Sequence, residues 1–457
     1  MSRHVLVVGG GLAGITAALR CADSGYEVTL VETRARLGGA ASSFQRGDLD
    51  VDTGQHVFLR CYSAYAALLR RLGVLDKVRV QPRFRVPVLE PFRACSVLRR
   101  WDLPAPAHLA PALLGHPALT LRQRVNAART GMRMRELDPE DPALDRISFG
   151  DWLRECGESA RAVDALWALL SVAALNAAPD ESSLALAATV FRTGLLDAAD
   201  SGDIGVPLRP LAELHDGAAH RELASAGVRV LLRTKANSVL RDESGETGWR
   251  VPVRGRGGEE VLRADSVIVA VPHQHAGALL SARLLPAAAA WSGLSAAPIV
   301  NVHVRYDRPV LAEPFAAVLG SPVQWLFDRT SAAGVRRGQY LAISLSAAHE
   351  YVEQRTGELR ALFLPALRDL LPRARRAEVQ DFFVTREPRA TFAQAPGTRD
   401  LRPGADTGLP GLVLAGAWTA TGLPDTLEGA VRSGDQAARV VRATFDEARP
   451  AGLEVTR

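Results

Sequence analysis

VLVVGGGLAG, residues 5–14, is the stretch that decides the fold. Val5 to Val8 form a short apolar strand, the glycines interrupt it, and Leu12 to Ser24 continue with helical spacing. Tyr26 to Val31 alternate into a second strand, and Glu32 follows it. Gly9, Gly11 and Gly14 have the GxGxxG spacing of a dinucleotide-binding turn. Alone, three glycines would be weak evidence. Between a strand and a helix they let a pyrophosphate approach the backbone at Leu12 and Ala13, with Glu32 and Thr33 placed for the adenosine ribose.

Three further stretches choose the cofactor. ETRARLGGA, residues 32–40, adds a second glycine pair, Gly38-Gly39, followed by Ala40. VRVLLRTKANSVL, from Val228, carries Ala236 in a strand-rich block that runs on through GWRVPV and SVIVAVP. GLVLAGAWTATGLPDTLEGAVRSG, residues 411–434, reads as a strand ending at Gly416 and a helix starting near Thr426. Together these resemble the flavin-binding signatures of the amine oxidase and phytoene desaturase superfamily. The resemblance implies non-covalent FAD, with Gly38 and Gly39 under its ribityl and phosphate chain and the backbone near Ala236 bracketing adenine. It also implies that Gly416, Ala417 and Trp418 come up to the flavin, and that the helix from Thr426 through Leu427 and Ala430 points its positive end at the pyrimidine ring. Two positions depart from the pattern. Ala417 stands where an acid is usual, and Ala40 where Arg or Lys is common. The backbone contacts survive both changes.

DVDTGQHVFLRCY, residues 50–62, sets Gly54, Gln55 and His56 at a strand end before an apolar run. Within the superfamily this stretch, NAAPDESS (176–183) and the last motif resemble the hydroxysqualene dehydroxylases over nearly the whole chain. That resemblance implies reduction of hydroxysqualene to squalene by hydride from reduced FAD. Gly54 to His56 would then meet the flavin, and the apolar residues beyond would line a hydrocarbon pocket. His56 is the one obvious general acid among the flavin-facing motifs. The alternative for His56 is a ring hydrogen-bonded to a loop carbonyl. Three other functions stay open: a carotenoid or phytoene-type desaturase, a flavin amine oxidase, and a non-redox prenyl-lipid escort protein. The only lysines are Lys77 and Lys235 and no cysteine follows Cys156, which counts against the amine oxidase. His273-x-His275 lacks a carboxylate at metal spacing, so no metal is expected. Gly255 to Gly258 read as a hairpin tip, so no second dinucleotide site names the electron donor. Asp425 and Glu428 read as acids favoured at a helix start.

The chain has 457 residues, 47% hydrophobic and 23% charged, which suits a globular α/β protein of several domains. A discontinuous Rossmann-like FAD domain is expected in residues 1–75, 215–278 and 401–445. An inserted α+β substrate domain is expected in 76–214, helical and basic, and 279–400, with a tail at 446–457. No apolar run reaches the roughly 18 residues of a membrane span, and the first residues do not read as a signal peptide. Four scattered cysteines without a CxxC read as reduced thiols in a cytoplasmic protein. Residues 70–135 hold fourteen Arg or Lys against three acids, net +11 in a chain of net +5. Two readings remain for this region: a solvated helical face, or a peripheral contact with anionic lipid headgroups. Nucleic acid is not expected, because no aromatics are interleaved with the arginines.

Overall fold

The computed structural model describes residues 3–243 and 248–447. β1 (His4–Val8), α1 (Leu12–Asp23) and β2 (Glu27–Glu32) form the expected opening. Val5, Leu6 and Val7 are fully buried, as a strand covered on both faces requires. Three remote segments complete the sheet: β3 (Arg229–Leu232), β4 (Ser266–Val269) and β5 (Leu412–Leu414). The order is β3-β2-β1-β4-β5, all parallel. α2 (Leu427–Glu447) lies against α1 so closely that a Cβ on Gly434 would sit 2.3 Å from the Ala13 carbonyl oxygen.

Between β3 and β4 the chain forms a small antiparallel sheet of Lys235–Ala236, Leu240–Arg241, Trp249–Gly255 and Gly258–Ala264. The expected hairpin tip joins its last two strands. A seven-stranded sheet forms the second domain. Its order is Val379–Phe392, Ala296–Tyr306, Gln339–Leu345, Trp325–Asp328, Phe315–Val318, Arg85–Leu89 and Ser96–Arg99. It therefore draws on two separated pieces of chain. Residues 107–196 supply a helical layer beside it, including Leu121–Glu136, Phe149–Glu155 and Leu184–Phe191.

Several details correct the sequence reading. Residues 279–294 were expected to open the second piece of the substrate domain. Instead Leu280, Leu285, Ala288 and Trp291 share a core with Val267, Val269 and Trp418 of the nucleotide domain. Phe58–Leu59 and Val78–Val80 both pair with Ile204–Pro207, so one small sheet straddles the expected division at 75/76 and interrupts the helical region with a strand. His273 opens the helix His273–Leu279. Of the expected tail, Asp446 and Glu447 end α2, and the remainder lies outside the described residues. Among the described residues no helix is long and apolar enough to cross a membrane.

Candidate active site

The glycines divide into two kinds by what a side chain would meet. A Cβ on Gly9 would lie 2.3 Å from the Ala270 carbonyl oxygen, and one on Gly14 would lie 1.9 Å from that of Gly9. Gly9 is needed for the turn to pass the end of β4, and Gly14 to pack the helix against that turn. Gly11 differs: its φ is −75°, and a Cβ there meets nothing nearer than the Gly39 Cα at 3.8 Å. Protein packing leaves that place open. Gly39, at φ +59°, passes so near that its own Cβ would be 2.9 Å from the Gly11 Cα, and the Gly38 N–H donates to the Gly10 carbonyl at 2.9 Å. The two glycine motifs thus form one backbone cradle at the carboxyl ends of the parallel strands, where ligands bind in such sheets.

Glu32 ends β2 with both oxygens held, by the Gly10 N–H and the Arg34 N–H, each at 2.7 Å. Thr33 and Ala40 are exposed. β3 leaves the sheet beside Glu32, where the Thr234 N–H donates to the Glu32 carbonyl at 2.9 Å, and Ala236 follows, buried and paired with Val253.

A second wall comes from the end of strand Leu49–Asp52. Thr53 Oγ1 donates to the Ala40 carbonyl at 2.5 Å, which sets Gly54, Gln55 and His56 beside the glycine pair. A Cβ on Gly54 would meet the His56 ring at 3.0 Å, so the glycine lets the ring fold back. His56 Nδ1 lies 3.1 Å from the Gly54 carbonyl. A carbonyl only accepts, so Nδ1 carries the hydrogen and Nε2 is the lone-pair nitrogen. Burial lowers the His56 pKa, opposed by that carbonyl and by Asp52. The hydrogen bond to a loop carbonyl is the alternative named for this ring, and its burial disfavours the protonated form. Beyond it, Val57, Leu59, Leu195 and Trp325 are partly buried against the core of Phe84, Leu169 and Phe315.

The third wall is the last motif. Gly416 has φ +141°, and its N–H donates to Ser433 Oγ at 2.9 Å. A Cβ there would be 2.6 Å from the Trp418 ring. Trp418 itself is buried, donates from Nε1 to the Val271 carbonyl at 2.9 Å, and meets Trp291 edge-on at 5.1 Å. Its ring packs in the core, so its backbone is the part left to face a cofactor. Arg402 gathers the carbonyls of Ala417, Trp418, Thr419 and Leu423 and so shapes this loop. Thr426 Oγ1 accepts from the Gly429 N–H at 3.1 Å, capping α2, and the Ala430 N–H donates to the Thr426 carbonyl at 2.9 Å. Leu427 is buried beneath.

The two acids at this helix start separate. Glu428 is buried and accepts from the backbone N–H of Tyr65 at 2.8 Å, so it joins α2 to helix Ser63–Arg71. Asp425 keeps some accessible surface although it is deeply enclosed, at the seam where Phe392 N–H donates to it at 3.2 Å. Burial pushes its pKa up to about 6, against the pull of Phe392 N–H and Arg402. Sequence reasoning placed Asp425 at a helix start but not its enclosure, because Phe392 and Gln394, which hydrogen-bond it, lie more than thirty residues upstream. His273 is buried with Nε2 on the Leu294 carbonyl at 2.7 Å. Among the described residues no cluster of His, Cys, Asp or Glu could hold a metal ion.

A parallel sheet drawn from remote segments and a glycine cradle with open space over Gly11 define a dinucleotide-binding domain of the discontinuous Rossmann type. The family model for flavin containing amine oxidoreductase matches residues 12–442, and the chain belongs to that family. It is an FAD-dependent oxidoreductase. It is 31% identical to a hydroxysqualene dehydroxylase of Rhodopseudomonas palustris, over 97% of this chain and 99% of that one. A 15-cis-phytoene desaturase of Synechococcus elongatus is 23% identical, with 97% of each chain covered. Among solved structures, cyclohexylamine oxidase from Brevibacterium oxydans superposes with a TM-score of 0.73 at 19% identity, covering 98% of this chain and 100% of that one.

Proposed function

We propose that the protein reduces hydroxysqualene to squalene. The observation that carries this reading is the apolar wall of Val57, Leu59, Leu195 and Trp325, which begins where Gly54-Gln55-His56 ends against the glycine cradle. Such a wall suits an isoprenoid chain. The relatives named as hydroxysqualene dehydroxylases supply the particular substrate.

Gly9, Gly11, Gly14, Glu32, Gly38, Gly39, Ala236 and the backbone from Gly416 to Thr426 would hold FAD. When bound and reduced, that cofactor supplies a hydride to the carbon that loses its hydroxyl. The protein must then do two things. It must exclude water, which would capture the allylic cation in place of hydride, and the apolar wall does this. It must also bring a proton to the oxygen, so that it leaves as water. Neutral His56 accepts a hydrogen bond from the substrate hydroxyl at Nε2 and orients it. We assign the proton donor to Asp425, enclosed at the seam where Phe392 N–H meets it, because that burial favours its protonated form. Lys77 pairs with Glu213 at 3.1 Å and Lys235 is exposed on its strand, so neither of the chain's two lysines is buried in the cradle.

The test is anaerobic incubation of the FAD-loaded, chemically reduced protein with hydroxysqualene, followed by hydrocarbon extraction. Squalene is expected in proportion to flavin oxidised. Oxidised enzyme that dehydrogenates phytoene, and reduced enzyme that yields no squalene, would overturn the reading in favour of a desaturase.

A further inference from the structure

Helix Leu121–Glu136 is the most regular element of the basic region. Its N-terminus is closed by a capping box, in which Thr120 Oγ1 accepts from Gln123 N–H and Gln123 returns a bond to Thr120 N–H. Ala127, Thr130 and Met134 are buried and fix its inner face. The opposite face is not polar. Leu121, Val125 and Met132 are 66%, 41% and 48% exposed, and with Ala128 they recur at i, i+4, i+7 and i+11. At about 100° per residue this stripe spans roughly 60°. Arg122, Arg129 and Arg133 are exposed in a parallel row along one side of it.

The neighbours continue the pattern. Helix Ala110–Leu114 packs against both this helix and strand Ser96–Arg99, and Leu114 is 58% exposed. Arg99 lies over the half-exposed Trp101 ring at 5.3 Å. At the tip of the hairpin formed with Arg85–Leu89, Phe92 projects with 75% exposure. Among the described residues, eight of the ten large apolar side chains left exposed fall between Phe92 and Met132. A merely solvated helical face would not collect them.

We propose that this face docks on an anionic lipid bilayer, with Leu121, Val125 and Met132 entering the acyl boundary and the arginine row meeting the headgroups. The charge is complementary, since the region carries net +11 while the rest of the chain sums to −6. Arginine stems can lie along an apolar stripe while their guanidinium groups reach phosphates beside it. A bilayer offers both halves of this match at once. The geometry stands apart from the proposed substrate. That reading adds only a use for the contact, because a long isoprenoid partitions into membrane.

The test sediments the FAD-loaded full chain with vesicles of phosphatidylcholine alone, or with roughly one-third phosphatidylglycerol. Binding is expected to the anionic vesicles and to weaken with salt. Arg122→Gln with Arg129→Gln should lower partitioning roughly thirtyfold. Leu121→Ser, Val125→Ser and Met132→Ser together should lower it at least as much, with an unchanged melting temperature, since all three side chains are exposed. Binding that is absent, or that neither set of substitutions weakens, overturns the proposal. So does a wild-type dimer that the serine variant dissociates, which would mean that a second copy covers the face. Vesicle binding is read without substrate, so failure to form squalene would not imitate failure here.

Discussion

Replacing Gly11 by Ala should give a folded protein that has lost its flavin, whereas Gly14→Ala should destabilise the fold itself. The distinction comes from two distances. At Gly14 the new methyl would stand 1.9 Å from the Gly9 carbonyl oxygen, and neither backbone segment can withdraw from the strand–helix contact. Overpacking of this kind costs about 1–3 kcal/mol or more. At Gly11 the methyl has ordinary contact at 3.8 Å, and the φ of −75° suits any residue. The cost to the fold should be about 0.5–1 kcal/mol, the loss of a favourable residue at the N-cap. The same methyl stands in the open space that the cradle leaves, where a pyrophosphate would meet the amides of α1. Losing one or two charge-assisted hydrogen bonds, at about 1.5–3 kcal/mol each, weakens FAD by ten- to more than a hundredfold. The assay is a pair of thermal melts with and without FAD, beside the visible spectrum. Wild type at a hundredfold excess over Kd should gain about 2.7 kcal/mol from the ligand. Gly11→Ala should gain almost nothing, while its apo form melts near apo wild type. A yellow Gly11→Ala protein with wild-type affinity would refute the reasoning.

Asp425→Asn should slow hydroxysqualene turnover by on the order of a hundredfold while FAD stays bound, and should abolish a fall in kcat/KM with rising pH centred near 6. A retained limb in the pH profile would assign it to another group. His56→Ala should raise KM and lower kcat without releasing FAD, and His56→Gln should restore part of the loss, since an amide oxygen still accepts a hydrogen bond; equal defects in both would remove its orienting role. Ala417→Asp should tighten FAD several-fold, worth about 1 kcal/mol for one new hydrogen bond, by fluorescence titration. Burial lowers His215 to about 4 and His303 to about 3. Both are neutral in the folded protein, so their contribution is complete above the ordinary value near 6.5 and is lost as pH falls below it, because the unfolded chain takes up protons that the folded one refuses. Between pH 7 and 5 each should cost roughly 2 kcal/mol of stability, and His215→Gln should remove about half of that fall in denaturant melts.

The nucleotide half of the molecule was legible in the sequence because most of its requirements are local. Gly14 is fixed by the Gly9 carbonyl within one strand–turn–helix unit, and Gly9, Gly38 and Gly39 have positive φ, so each leaves a glycine at a set place. The seven-stranded sheet was legible only as separate strands. Nothing in Arg85–Leu89 announces that it will run parallel to Phe315–Val318, more than two hundred residues on. The site chemistry was least legible. His56 follows a glycine and a glutamine in either role, and only its Nδ1 on Gly54 and its burial show that the neutral ring is favoured. Asp425 resembles any acid before a helix until Phe392 from the other domain closes over it. Trp418 is adjacent to the cofactor motif in sequence, yet its indole turns to Val271 and Trp291.

The parallel sheet also dictates the order in which a growing chain can become an enzyme. β1 and β2 leave the ribosome early, but β4 must find β1 after more than two hundred intervening residues, and β5 pairs with β4 nearly a hundred and fifty residues later still. Until Leu412–Leu414 and α2 arrive, the edge of β4 is bare and the α1 face that receives Gly434 is uncovered. Cofactor capture is therefore a late event in the life of each molecule, and a nascent chain stalled before residue 412 carries both glycine motifs of the cradle with no closed site to use them. Chaperones that shield an open strand edge should matter more for its yield than the supply of flavin.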